Sequence, residues 1–235
     1  MVHVFSRCGA SMNESPSLDL AALLCSRLCH DLLSPVGAFA NGLELLATET
    51  DPAMRQNCID LLEQSAAVST NKLKFFRLAF GAAGGFGDRV PVEEARDLIA
   101  ALAADKGRIE VQWALADANL GKPAVKVLLN FAQIAVDALV RGGTLVVGAE
   151  RRPGEDGATN CEIVVRATGP KIAFDQTLGS ALDGTLAASE LSSRTVAAHM
   201  INLLARESGG GIQYVLDDAA LVLGAVLPEG EGLIG

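Results

Sequence analysis

The sequence predicts an α+β chain, with an N-terminal antiparallel helical hairpin followed by a two-layer α/β sandwich. Three observations carry this. Apolar residues recur at three- and four-residue spacing from Ser17 to Thr48, and again from Pro52 to about Phe80. A glycine-rich break, Gly-Ala-Ala-Gly-Gly-Phe-Gly from Gly81 to Gly87, then interrupts the pattern. Beyond it, helical stretches alternate with short runs of strand character, an order that suits helices layered on a sheet.

Residues 1–16 are polar and predict a flexible N-terminus. Ser17 is a candidate cap for the first helix, whose inner stripe is Leu24, Leu28, Leu32, Phe39, Leu43 and Leu46. Thr48 to Asp51 makes a short turn, and Pro52 suits the first position of the second helix. That helix should turn Ile59, Leu62, Ala66, Leu73, Phe76 and Phe80 inward. Two helices alone cannot bury both stripes, so the hairpin, residues 17–83, predicts a homodimer with a four-helix bundle. The second unit spans 84–228, and 229–235 reads as a tail. Within it Val92–Ala104, Lys122–Val140 and Leu191–Glu207 read as helices. Arg108–Ala114, Thr144–Glu150, Cys161–Ala167, Ile212–Leu216 and Ala220–Leu227 read as strands, with a polar turn over Arg151–Asn160.

Half of the 235 residues are hydrophobic but only 4% are aromatic, so Leu, Val and Ala must fill the core. A net charge of −9 argues against nucleic acid and against anionic membrane surfaces, both of which reward basic proteins. No stretch approaches a membrane span, and the N-terminus lacks a signal-peptide core, so a cytoplasmic protein is expected. Cys8, Cys25, Cys29, Cys58 and Cys161 form a scattered odd set, which fits reduced thiols. Cys25 and Cys29 are four apart and lie just before His30, but no second pair of donors completes a zinc site, so no metal is expected and core-facing thiols are the simpler reading.

His30 is the candidate reactive residue. It lies in Cys29-His30-Asp31-Leu32-Leu33-Ser34-Pro35-Val36-Gly37, roughly opposite the apolar stripe, with Ser34, Gly37 and Asn41 on its own face. Small neighbours there would let another protein approach closely. Pro35 lacks an N–H and crowds the carbonyl of Asp31, which predicts a kink one turn beyond His30. Asp31 could orient the imidazole or simply be solvated. Ser34, one turn from His30, could simply give clearance. Lys72 and Lys74 read as solvated charges, and His199, beside Ala197 and Met200, as a packed structural histidine.

His30-Asp31-Leu32-Leu33-Ser34-Pro35 resembles the H-box of dimeric sensor histidine kinases, and the domain order resembles theirs: a hairpin with the phosphoaccepting histidine, then a Bergerat-type ATP-binding sandwich. The ATP motifs depart from that pattern. Leu128-Leu129-Asn130-Phe131-Ala132-Gln133-Ile134-Ala135 lines up with the N-box, but Ile134 stands where an asparagine helps hold Mg2+ and phosphates. Val165-Arg166-Ala167-Thr168-Gly169-Pro170-Lys171-Ile172 lines up with the D-x-G-x-G motif. Ala167 replaces the adenine-reading aspartate, and Lys171 the last glycine. Ser189-Glu190-Leu191-Ser192-Ser193-Arg194 offers no second glycine box, and Gly209-Gly210-Gly211 reads as a helix stop. An isoleucine cannot ligate Mg2+, and an alanine cannot accept a hydrogen bond from adenine.

A kinase-like chain with an H-box and these three losses is similar to the dimeric histidine phosphotransferases of the ChpT type. That resemblance implies His30 as phosphoacceptor, no nucleotide, and Mg2+ carried by the partner. It implies a donor, the receiver domain of a hybrid histidine kinase. Its acceptors would be response-regulator receiver domains in a cell-cycle phosphorelay. Ser34, Gly37 and Asn41 would then meet the receiver, and Ser34 stands where related kinases carry a phosphatase-assisting polar residue; because the sandwich keeps its core pattern without its ligand residues, a second docking surface is expected of it. Two alternatives remain at this point: an ATP-dependent histidine kinase with a divergent nucleotide site, and a kinase-like binding module without chemistry.

Overall fold

The computed structural model describes residues 16–81, 88–154 and 159–229. Helix α1 (Pro16–Thr48) and helix α2 (Pro52–Phe80) form an antiparallel hairpin. The turn between them is built from local chemistry. Asp51 caps α2 by accepting from the N–H groups of Ala53 at 3.0 Å and Met54 at 2.9 Å, and Pro52 supplies a preset φ. Arg55 folds back and donates to the carbonyls of Leu46 and Glu49, which satisfies the open end of α1.

The sandwich begins with β1 (Arg89–Pro91) and α3 (Val92–Lys106), then β2 (Ile109–Leu115), β3 (Asn119–Gly121) and α4 (Lys122–Ala138). It continues through β4 (Gly143–Pro153), β5 (Thr159–Thr168), α5 (Gln176–Asp183), a 3-10 turn at Ala188–Glu190, α6 (Val196–Glu207), β6 (Gly211–Leu216) and β7 (Ala220–Glu229). The sheet order is β2-β4-β5-β7-β6, parallel between β2 and β4 and antiparallel elsewhere; β1 and β3 form a separate two-stranded ladder. Leu145 and Val147, Ile163 and Val165, and Leu221 and Leu223 alternate inward along the three central strands, as a one-face-buried sheet requires. Helix α4 lies on that face and is buried along most of its length. The hairpin packs through α2 against α3 and α4, and through α1 against α6.

The α+β class and the order hairpin-then-sandwich match the sequence reading. Several details differ. Ser17 lies inside α1, which already starts at Pro16, so it is not the cap. In the hairpin Pro35, Gly42, Cys58 and Ser65 are buried, and Phe75 and Ala79 are buried against the sandwich; of the expected inner stripes Leu24, Leu28, Leu32, Leu46, Leu62, Phe76 and Phe80 are half-buried, whereas Phe39, Leu43, Ile59, Ala66 and Leu73 are exposed. Small residues allow the close approach: a Cβ on Gly42 would sit 3.0 Å from Leu62 Cδ2. The large apolar residues are thereby left on the outside of a single hairpin.

The helix expected from Leu191 starts only at Val196, because Ser192 and Thr195 bond each other through side chain and main chain in a tight turn. Short α5, β1 and β3 escaped the periodicity reading. The expected turn over Arg151–Asn160 is partly ladder, since Arg151–Pro153 pair with Thr159–Cys161. Glu229, read as the first residue of a tail, is the last residue of β7 and is held by Arg89 and Arg151. The glycine-rich break from 82 onward and residues 1–15 lie outside the described residues.

Candidate functional site

His30 projects from the middle of α1 with its side chain 85% exposed. Among the described residues its side-chain partner is the next residue: Nδ1 lies 3.2 Å from Asp31 Oδ1. A carboxylate can only accept, so with a neutral ring this contact is satisfied by the Nδ1–H tautomer, which leaves the Nε2 lone pair facing outward. The other oxygen of Asp31, Oδ2, is 3.5 Å from Arg27 Nε, one helical turn earlier. Asp31 is thus shared between a cation and the imidazole, with 30% of its side chain exposed.

Pro35 has its expected effect on hydrogen bonding. The carbonyl of Asp31 loses its helical donor and accepts instead from Lys72 Nζ at 3.0 Å, across the hairpin. Lys72 is therefore half-buried and engaged, contrary to its reading as a solvated charge, while Lys74 is exposed. Helix α1 nevertheless continues without interruption to Thr48.

A cleft of about 440 Å³ opens between His30 and the sandwich. Arg27, His30 and Asp31 form one wall; Ile134, Asp137, Asp175 and Ser193–Thr195 form the other. Asp175 caps α5, and the hydrogen bonds from Thr177, with the Arg194 charge, hold its carboxyl below the usual range. Asp137 is engaged by Lys106 at 3.0 Å and by Gln133.

The other expected site residues are distributed as follows. Ser34 and Asn41 are exposed and Gly37 is half-buried on α1, and a Cβ at Gly37 would meet nothing within 4 Å. Ile134 lines the cleft, Ala167 is fully buried in β5, and Lys171 is exposed beyond it. Asn130 turns its amide back to the carbonyl of Lys126 at 2.8 Å. Cys25 and Cys29 are exposed, so the core-facing reading fails for both; Cys58 and Cys161 are buried. His199 is half-buried with Nδ1 unbonded, and desolvation holds its pKa below the ordinary value. Among the described residues no three His, Cys, Asp or Glu side chains converge as metal donors would, and no helix is long and apolar enough to cross a membrane.

Comparison with known proteins decides the family. The profile of the histidine phosphotransferase C-terminal domain matches residues 92–220. The chain is 35% identical over 193 residues to protein phosphotransferase ChpT of Brucella abortus (strain 2308), covering 82% of this chain and 88% of that protein. The chain belongs to the histidine phosphotransferase family. A solved structure of a bacterial phosphotransferase superposes with a TM-score of 0.73 at 32% identity, covering 89% of this chain and 96% of the other. Within this phosphotransferase, sequence reasoning missed Arg27, the bond Lys72 makes, and the place of the Ser193–Thr195 segment on the cleft wall. The first two had a signal: Arg27 is four residues before Asp31, and a helical proline leaves a carbonyl in need of a donor.

Proposed function

We propose that His30 carries the phosphoryl group in a relay between receiver domains. The observation that carries this reading is the exposed imidazole, held through Nδ1 by Asp31, in a chain of the histidine phosphotransferase family. Neutral Nε2 attacks the phosphorus of a receiver aspartyl phosphate. The N–P bond forms, the P–O bond to the aspartate breaks, and the carboxylate leaves with the electron pair. The Nδ1 proton stays with the ring, where the Asp31 carboxylate balances the charge that develops. The reverse attack by a second receiver's carboxylate restores His30. Mg2+ is supplied by the receiver.

The donor in this reading is the receiver domain of a hybrid histidine kinase, the acceptors are response-regulator receivers of a cell-cycle relay, and the setting is cytoplasmic. Ser34, Gly37 and Asn41 form the receiver-facing strip on α1, and the wall of the cleft on the sandwich supplies further docking surface. Ser34 gives clearance rather than chemistry. The chain works as a homodimer: Leu33, Val36, Leu43 and Leu73 are exposed on one hairpin, and a second hairpin would cover them. Leu43→Glu should turn a dimer into a monomer by light scattering; a wild-type monomer would overturn the bundle.

The relay works without ATP. An apolar Ile134, a buried methyl at Ala167 and an Asn130 amide engaged with its own helix support this. Radiolabelled phosphoreceiver with Mg2+ should label wild-type chain and not His30→Ala, while labelled ATP alone should label neither. Label from ATP alone, or nucleotide binding by calorimetry, would establish the kinase alternative. No label from any competent receiver would leave a binding module.

A further inference from the structure

We infer that Arg27 is a positioning residue, which ties the sandwich domain to the tautomer of His30. The inference rests on the relay reading of His30. The imidazole is almost entirely in solvent, and its hydrogen-bond partner among the described residues, Asp31, is the next residue of the helix, with 30% of its side chain exposed. Left alone, such a carboxylate would sample several rotamers, since exposed pairs hold one geometry weakly. Asp31 is instead held from its far side by Arg27 Nε at 3.5 Å.

Arg27 is itself held. Only 18% of its side chain is exposed, and Nη1 donates to the main-chain carbonyl of Arg194 at 3.4 Å. That carbonyl belongs to the segment between the 3-10 turn and α6, on the opposite wall of the cleft. A guanidinium is a rigid planar fork, so a contact that fixes Nη1 also fixes where Nε points. Nε is shut off from water and makes no hydrogen bond of ordinary length and angle, which leaves the Asp31 carboxylate as its nearest counter-charge. The sandwich carbonyl, guanidinium, carboxylate and imidazole thus form one line across the domain boundary. When the sandwich is seated, the line keeps the proton on Nδ1 and the lone pair on Nε2; when it shifts, His30 loses that bias. The domain then regulates reactivity as well as docking.

The test uses the full chain with Arg27→Ala, Arg27→Lys, Asp31→Asn and the Arg27→Ala/Asp31→Asn double variant. Phosphotransfer from a labelled receiver is followed under single-turnover conditions across receiver concentration. Arg27→Ala should lower the rate at saturation about tenfold, the scale of a modest misplacement, without raising the half-saturating concentration. Asp31→Asn should cost as much, and the double variant no more than either. In 1H–15N spectra of the ring, assigned by His30→Ala, neutral wild-type His30 should carry its proton on Nδ1. Both Arg27 variants should show mixed tautomers; Arg27→Lys keeps a charge beside Asp31 and serves if alanine unsettles the hairpin. A wild-type tautomer in folded Arg27 variants, or additive losses in the double variant, would overturn the inference. If wild-type chain takes no phosphoryl group from any receiver, the relay reading fails, and the tautomer spectra still decide the role of Arg27.

Discussion

Lys72 Nζ donates a 3.0 Å hydrogen bond to the main-chain carbonyl of Asp31, the carbonyl that Pro35 leaves without a helical donor. One proline in α1 thereby recruits one lysine from α2, one residue along the chain from His30. Lys72→Met should destabilise the chain by about 1.5–3 kcal/mol, the range for a hydrogen bond to a charged group. In a Pro35→Ala background, where the restored main-chain N–H can donate to the same carbonyl, the loss should shrink. Chemical denaturation of the four proteins checks this; an equal loss in both backgrounds would break the link between the two residues.

Gly37 is a second departure from ordinary helix chemistry. A Cβ there would meet nothing within 4 Å, so packing inside the chain does not demand glycine. Gly37→Ala should stabilise the helix by about 1 kcal/mol. On a receiver-facing strip the added methyl should also slow phosphotransfer and weaken receiver binding. A variant that melts higher and transfers at the wild-type rate would remove Gly37 from the docking face.

The cysteines divide by environment. Burial, with the charges of Glu229 and Asp117 adding, pushes the Cys161 thiol up to about 12. Alkylation near pH 8 should therefore label Cys25 and Cys29 in the native chain and spare Cys161 and Cys58, as mass spectrometry of peptides would show. The folded state holds the Cys161 proton more tightly than the unfolded state. Stability from this group is full below the unfolded thiol pKa and falls as pH rises from about 9 toward about 12. Cys161→Val should flatten that alkaline decline.

His199 carries the opposite sign. Desolvation lowers its pKa, so the unfolded chain binds its proton more readily than the folded chain. The contribution is full above the ordinary histidine value of 6.5 and is lost as pH falls through the lowered value. His199→Gln should reduce the acid loss of stability in melts taken below pH 6.5; an unchanged acid limb would show that the ring stays hydrated.

The hairpin, the order of the two units and the outward face of His30 were legible because each rests on local chemistry. Pro52 after Asp51 marks a helix start in any context, and the helical repeat sets His30 opposite Leu24 and Leu28. The seam was only partly legible, because periodicity finds an apolar stripe without saying which partner covers it. Cys58, Ser65 and Gly42 won the inner positions by being small, and Ile59 and Leu73 were left outside. Short elements such as β1, β3 and α5 contain too few residues for a repeat to show. The Arg194 carbonyl at the site has no side-chain signature at all: a main-chain atom 167 residues from Arg27 is brought there by tertiary packing alone.

Glu229 closes the sandwich on itself. Its carboxylate meets Arg89 Nη1 at 3.0 Å and Arg151 Nε at 2.7 Å, so the last residue of β7 and the first residue of β1 share an ion pair. The chain consequently enters and leaves this unit at the same corner. Its two ends can therefore be bridged without crossing its core. A short joint between these two ends, with new termini cut into the β4–β5 connection, should give a permuted sandwich that keeps its sheet order.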